Sequence, residues 1–142
     1  MKMTKKYRIL EKFIKDLSAE TPDLETYLFV KDRIAKYQLD IDITSTAIKN
    51  KHIEINTTFK FIEKEKVKKK SYFELTFTTI ILVNDEITKK KDLEKVILCD
   101  VQKEIYPELE RILLNTLHNA GYPNIVFEKS VDFEFLYNQR AN

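Results

Sequence analysis

One glycine and two prolines limit where a helix can lie in the last third of the chain. Gly121 is the only glycine among 142 residues, and helices commonly end beside a glycine because that position takes a positive φ. Pro107 suits a first helical turn, where a missing N–H costs no hydrogen bond, and Pro123 prevents the helix from resuming. The apolar residues at helical spacing between them are Leu109, Ile112, Leu113, Leu117 and Ala120. We therefore predict a helix over residues 107–120.

Four earlier stretches are strand candidates, and the last three alternate apolar and polar residues, which is the two-residue period of a half-buried strand. They cover residues 7–18, 37–48, 52–62 and 72–83. The links at residues 49–51 and 64–70 are short, so antiparallel hairpins are favoured for the last three strands.

A second helix is predicted between the strands and Pro107, with Asp92 as its N-cap. Its apolar stripe consists of Leu93, Val96, Ile97, Val101 and Ile105. Because proline disfavours helical geometry at the preceding Tyr106, we expect this helix to be separate from the next one or sharply kinked. Strands followed by helices indicate an α+β fold, in which C-terminal helices pack on one face of a four-stranded antiparallel sheet. The length fits a single domain over residues 1–142.

Composition is that of a soluble globular protein, with 43% hydrophobic residues, 34% charged residues and a net charge of +2. The longest apolar run is far shorter than the ~20 residues of a membrane span. Residues 1–6 are basic but lead into a mixed segment, so they do not form a signal peptide. We expect a cytoplasmic protein without membrane insertion. Cys99, the only cysteine, has apolar neighbours and is predicted to be a small buried side chain.

Residue patterns for catalysis or metal binding are nearly absent. His52 and His118 lack a second ligand at zinc-site spacing, and we expect both to face solvent. A single glycine excludes a phosphate-binding glycine-rich loop. Asp40 and Asp42 share one face of the second predicted strand. We interpret them as part of a polar outer surface rather than as a pair of acid–base catalysts. We therefore predict no enzymatic activity, no metal and no cofactor.

Lysines cluster in two links, at residues 64–70 and 89–91. A basic patch of this kind is able to bind nucleic acid. However, Glu63 and Glu65 interrupt the first run, and no aromatic residues alternate with it for base stacking. A solvated hairpin tip is favoured over a nucleic-acid site.

Two apolar clusters lie outside these patterns, at residues 27–30 and 133–137. The spacing of Phe133, Phe135, Leu136 and Tyr137 does not allow all four side chains to face one side of a helix. Core or subunit-interface positions explain about half of such residues. The remainder are candidates for binding other polypeptides.

Three stretches in one order carry a resemblance to a known family. Residues 13–22 read Phe-Ile-Lys-Asp-Leu-Ser-Ala-Glu-Thr-Pro, and residues 29–32 read Phe-Val-Lys-Asp. The third stretch runs from Tyr106-Pro107 through Gly121-Tyr122-Pro123 to the Val-Asp-Phe-Glu-Phe-Leu-Tyr of residues 131–137. Together they resemble the bacterial protein-export chaperone SecB. The middle departs from that family, because residues 73–83 contain no glycine and residues 92–105 form a charged amphipathic stretch.

The resemblance implies an ATP-independent holdase that binds unfolded preproteins in hydrophobic grooves and delivers them to the translocation motor SecA. It implies a long crossover after the first strand and a homotetramer built as a dimer of dimers, with helices between the sheets. The client-binding positions that it implies are Tyr27, Phe29, Phe133 and Tyr137. The SecA-binding positions are Asp16, Glu20 and Glu74.

Two alternatives stay open. SecB-like chains also serve as dedicated chaperones of an antitoxin in a toxin–antitoxin system, a role that keeps the groove and discards the SecA surface. The fold is also compatible with an oligomeric adaptor or nucleic-acid-binding protein that uses the lysines of residues 64–70.

Overall fold

The computed structural model describes residues 5–127 and 131–141. The strands are β1 (Tyr7–Glu20), β2 (Gln38–Ala47), β3 (His52–Ile62) and β4 (Tyr72–Val83). The helices are α1 (Leu24–Lys31), α2 (Lys90–Lys95), α3 (Val101–Asn119) and α4 (Phe133–Ala141). A 3-10 turn (Ile34–Lys36) precedes β2, and a π-helical turn (Val96–Asp100) joins α2 to α3. Residues 1–4 of the predicted basic N-terminus lie outside the described residues.

The strands form one antiparallel sheet in the order β1-β4-β3-β2. Neighbours in sequence form the β2–β3 and β3–β4 hairpins, whereas the chain crosses over from β1 by way of α1 to reach β2. The predicted α+β fold is therefore confirmed. This order leaves β1 and β2 as the two edge strands of the described sheet.

One face of the sheet carries the core, and we call it the inner face. Ile55 and Phe59 on β3 and Leu75 and Ile81 on β4 are at most 1% exposed there. Their alternation with polar neighbours is the predicted two-residue period. In β1, the register shifts between Ile14 and Asp16, so that Leu17 pairs with Leu75 and turns to the inner face.

Pro107 lies inside α3 and does not begin a helix, so the prediction of a separate helix starting there was wrong. Helical residues continue without interruption from Lys90 to Asn119. Proline inside a helix costs about 3 kcal/mol. Burial of the α3 stripe on the sheet outweighs that cost, since each buried leucine contributes about 2 kcal/mol. Leu109, Leu113 and Leu117 are all 0% exposed.

The predicted N-cap of the preceding helix was also wrong. Lys89 occupies that position in extended geometry, and Asp92 lies within the first turn of α2. A carboxylate there still faces the positive end of the helix dipole.

The end of α3 follows the prediction. Gly121 has φ +111°, a conformation that residues with a side chain rarely adopt. The ring of Tyr27 packs directly on it, and its hydroxyl donates a hydrogen bond to the Gly121 carbonyl oxygen at 2.9 Å. A Cβ atom at Gly121 would lie 2.6 Å from Cε1 of Tyr27. Glycine is therefore required both for the turn and for the contact with α1.

The two histidines are half-buried, so the expectation that they face solvent is met only in part. Nδ1 of His52 lies 2.9 Å from the Lys49 carbonyl oxygen, and Nε2 of His118 lies 3.0 Å from that of Ile125. Each ring therefore lies within hydrogen-bonding distance of a backbone carbonyl in a turn. Cys99 is 0% exposed, as predicted.

Candidate functional site

The candidate site lies along the inner face of β2. Leu39, Ile41 and Ile43 point to that face because they pair with the buried face of β3. They are only partly buried, whereas the corresponding residues of β3 and β4 are covered by α3. A row of apolar side chains is thus left open at the edge of the sheet, and three cavities adjoin it. We call these cavities the β2 groove.

The largest cavity measures about 740 Å³ and lies at the Leu39 end. The 3-10 turn, α3 and the segment after α3 form its walls. Its lining residues are Ile34, Ala35, Tyr37, Gln38, Leu39, Phe61, Tyr106, Asn124, Ile125, Val126, Phe127 and Val131. None of these described lining residues is charged. Val126 stands at the rim with 68% of its surface exposed. The cavity therefore offers apolar contact with few polar groups to select a particular ligand.

Two smaller cavities, of about 410 and 180 Å³, lie at the Ile43 end. Both are formed between β2, the π-helical turn and α4. Ile43, Leu98, Tyr137 and Arg140 line both of them. Arg140 supplies a positive charge at this end, whereas Glu94 and Asp42 supply negative charges, so the β2 groove is uncharged at the Leu39 end and carries charges of both signs at the Ile43 end.

An aromatic contact separates the large cavity from the smaller ones. Phe133 and Tyr106 pack edge to face, with ring centroids 5.7 Å apart. Tyr106 lines the large cavity and Phe133 lines the 180 Å³ cavity. Burial, together with the nearby Glu110 carboxylate, raises the pKa of Tyr106 to about 12. The phenol therefore stays neutral at physiological pH.

Two of the four predicted client-binding residues lie in the β2 groove. Phe133 is 3% exposed and forms part of the wall. Tyr137 lines both smaller cavities, and its hydroxyl donates to the Lys91 carbonyl oxygen at 3.3 Å.

The other two residues lie on α1 and line none of the three cavities. The ring of Tyr27 packs on Tyr122, with centroids 5.5 Å apart, and joins α1 to the turn after α3. Phe29 is 38% exposed.

Sequence reasoning did not single out Leu39, Ile41 and Ile43 as site residues. Their alternation indicated a half-buried strand, but every inner-facing residue of the sheet shares that signal. Only the strand order shows that β2 lies at an edge that α3 leaves open. The same holds for Leu98, which the sequence places on a helix without indicating what it faces.

The predicted SecA-binding residues lie on the outer face, opposite the β2 groove. Asp16 and Glu20 are exposed on the same side of β1, in agreement with their four-residue spacing. Glu74 pairs with Ser18 in the sheet, and its carboxylate lies 3.5 Å from the Lys60 ammonium. The three carboxylates therefore share one polar surface.

Within residues 5–127 and 131–141, no cluster of three metal-ligating side chains occurs. The helices of this part of the chain are too short or too polar to cross a membrane.

Comparison with known proteins identifies the family. The family model described as preprotein translocase subunit SecB matches residues 1–142. The chain belongs to the SecB family. Members are chaperones rather than enzymes, and the prediction of a holdase chaperone in protein export is confirmed.

Individual relatives agree with this assignment. A Pelagibacter ubique protein with a SecB protein-export name is 54% identical over 140 residues, covering 99% of this chain and 100% of that protein. The protein-export protein SecB of Parvibaculum lavamentivorans is 29% identical and covers 94% of this chain and 77% of that protein.

The fold is also shared with a solved structure. A Mycobacterium tuberculosis SecB-like chaperone, in complex with a peptide from the HigA1 antitoxin, has a TM-score of 0.64 and 10% identity. The match covers 88% of this chain and 91% of that chain.

Proposed function

We propose that this SecB-family chaperone holds unfolded client segments in the β2 groove. The observation that carries the proposal is the row of Leu39, Ile41 and Ile43, which stays only partly buried beside the three cavities. The row and the following Ser45 span about 20 Å, the length of roughly six extended residues. Each apolar client side chain that is fully buried contributes about 1.5–3 kcal/mol, so a few contacts offset the ordering cost and reach micromolar affinity.

Of the predicted client-binding residues, Phe133 and Tyr137 act as groove walls in this proposal. Tyr27 fixes α1 in place, and Phe29 provides an exposed ring that extends the site beyond the groove. Few placed polar groups suit a site that accepts many client sequences.

Val126→Asp tests the groove. Val126 is exposed, so the change should leave the fold intact while placing a charge at the rim of the large cavity. We expect the Kd for a labelled, permanently unfolded polypeptide to rise about tenfold, which corresponds to about 1.4 kcal/mol. Ile48→Asp is the matched control, because Ile48 is 48% exposed and lines none of the three cavities. Equal Kd values for both variants and the unmodified protein would reject the groove as client site.

We also propose that the outer face docks SecA through Asp16, Glu20 and Glu74. Client and motor would then occupy opposite faces of the sheet and bind at the same time. Reversal of charge at Asp16 and Glu20 should abolish SecA binding in a pull-down and leave the client Kd unchanged. Unaltered SecA affinity would refute the assignment.

We further propose a cytoplasmic homotetramer, built as a dimer of dimers. Apolar side chains at the open edge of β1 support an interface there: Ile14 is 44% exposed and Leu17 is 41% exposed, both on the inner face. Leu17→Asp should therefore lower the molar mass measured by light scattering at tens of micromolar protomer. A monomeric unmodified protein at that concentration would contradict the proposal.

The remaining alternatives receive less support. The relatives with SecB protein-export names favour export over an antitoxin role, and the antitoxin-bound neighbour shares only the fold. Two lysines of the 64–70 link are engaged in ion pairs, Lys64 with Asp40 at 2.6 Å and Lys69 with Glu25 at 3.0 Å. We therefore expect no binding of DNA or RNA, even at low salt.

A further inference from the structure

We propose that Arg33 is a positioning residue of the client site, which holds α1 and the exposed ring of Phe29 against the loop after β3. This inference rests on the proposed client-binding function. Arg33 lies in the turn between α1 and Ile34, a residue that lines the large cavity. It therefore stands between the aromatic residue of α1 and the groove wall.

The guanidinium joins segments that are distant in sequence. Nε of Arg33 donates to Oε2 of Glu63 at 3.1 Å, and Nη2 donates to Oε2 of Glu65 at 2.7 Å. Both glutamates follow β3, so the crossover connection is attached to the β3–β4 loop by one side chain. The planar, branched donor group of arginine makes two such bonds at once, which the single ammonium of lysine does less well.

One of the two glutamates depends on this contact. Glu63 is 6% exposed, and an isolated buried carboxylate is costly. Burial raises its pKa, but the backbone N–H of Glu65 and the Arg33 guanidinium outweigh this and hold the pKa of Glu63 below its usual value. Glu63 therefore stays ionised, and its buried carboxylate fixes the position of the Arg33 guanidinium.

The same guanidinium also lies over the ring of Phe29. Cζ of Arg33 lies 5.3 Å from the centre of the Phe29 ring, within the range of a cation–π contact. The backbone N–H of Arg33 also donates to the Val30 carbonyl oxygen at 2.8 Å, which closes the end of α1. Both contacts limit the orientations open to Phe29, so a client that packs on the ring loses less conformational freedom on binding.

A double-mutant cycle separates this role from simple stabilisation of the fold. Arg33→Lys keeps the positive charge but loses the hydrogen bonds to two glutamates at once and the contact between the guanidinium and the Phe29 ring. We expect it to raise the Kd for the labelled unfolded polypeptide about fivefold, the factor that corresponds to a contact of about 1 kcal/mol. Phe29→Ala should raise the Kd by a similar factor. In the Phe29→Ala background, Arg33→Lys should have no further effect.

Glu65→Gln provides a second variant that preserves the fold, because the Glu65 side chain is 67% exposed. The change weakens the hydrogen bond between Arg33 and residue 65. It should raise the Kd for the unfolded polypeptide about twofold, again only when Phe29 is present. If Arg33→Lys fails to fold, this variant completes the same cycle with Phe29→Ala.

The outcomes distinguish the two proposals. Independent, multiplying effects of Arg33 and Phe29 on the Kd would overturn the positioning role, as would an unchanged Kd in Phe29→Ala. Either result leaves the groove intact if Val126→Asp still weakens binding. Coupled effects of Arg33 and Phe29 without any effect of Val126→Asp would instead reject the groove and retain the role of Arg33.

Discussion

Replacement of Gly121 by alanine should destabilise the fold through two separable causes. The backbone at Gly121 has φ +111°, and a residue with a Cβ atom is strained there by about 1–2 kcal/mol. The new Cβ atom would also lie 2.6 Å from Cε1 of Tyr27. That overlap adds about 1–3 kcal/mol, because the ring is held by Tyr122 and by its own hydrogen bond. The expected loss is therefore about 3 kcal/mol.

Urea denaturation at a fixed protomer concentration measures this loss. With a slope of about 2 kcal/mol per M, the unfolding midpoint should fall by about 1.5 M. A fixed concentration is needed because association would shift the apparent stability.

A Tyr27→Ala background separates the two causes. Without the ring, Gly121→Ala should cost only the backbone strain of about 1–2 kcal/mol. Equal costs in both backgrounds would refute the steric argument. A cost below about 0.5 kcal/mol in the unmodified background would refute both arguments.

Three further changes test other parts of the fold. Leu113→Asp should unfold the chain, with loss of the far-ultraviolet circular dichroism signal, because Leu113 is 0% exposed within its own core; a folded variant that has only dissociated would contradict this. Pro107→Ala should raise the free energy of unfolding by about 2 kcal/mol, because it restores an N–H inside α3 at a modest entropic cost; no gain in thermal stability would contradict it. Burial and the Glu104 carboxylate raise the pKa of Tyr7. Its protonated phenol therefore stabilises the folded state at neutral pH, and this contribution is lost as the pH rises above about 10, the pKa of tyrosine in the unfolded chain. Tyr7→Phe should therefore reduce the alkaline loss of stability in denaturation measurements from pH 9 to 12, and an unchanged slope would refute the assignment.

Two of the four client-binding residues predicted from the sequence lie in the wall of the β2 groove. Phe133 and Tyr137 were found because they follow a recognisable C-terminal pattern, and the structure places both in the groove wall. Tyr27 was selected from the apolar cluster that follows the first strand, yet it packs on the distant Gly121 and Tyr122. No local pattern distinguishes an aromatic side chain that binds a client from one that fixes a helix.

The sequence alone determined the elements that depend on local physics. Alternation set the inner faces of β2, β3 and β4, and the need for a positive φ, which glycine adopts readily, set the end of α3 at Gly121. Tertiary structure decided what depends on distant contacts. It made β2 an edge strand with an open apolar row, carried α3 through Pro107 by burying its leucine stripe, and brought Arg33 to Glu63. These outcomes follow from which surfaces pack together, and that is a property of the whole chain rather than of any one segment.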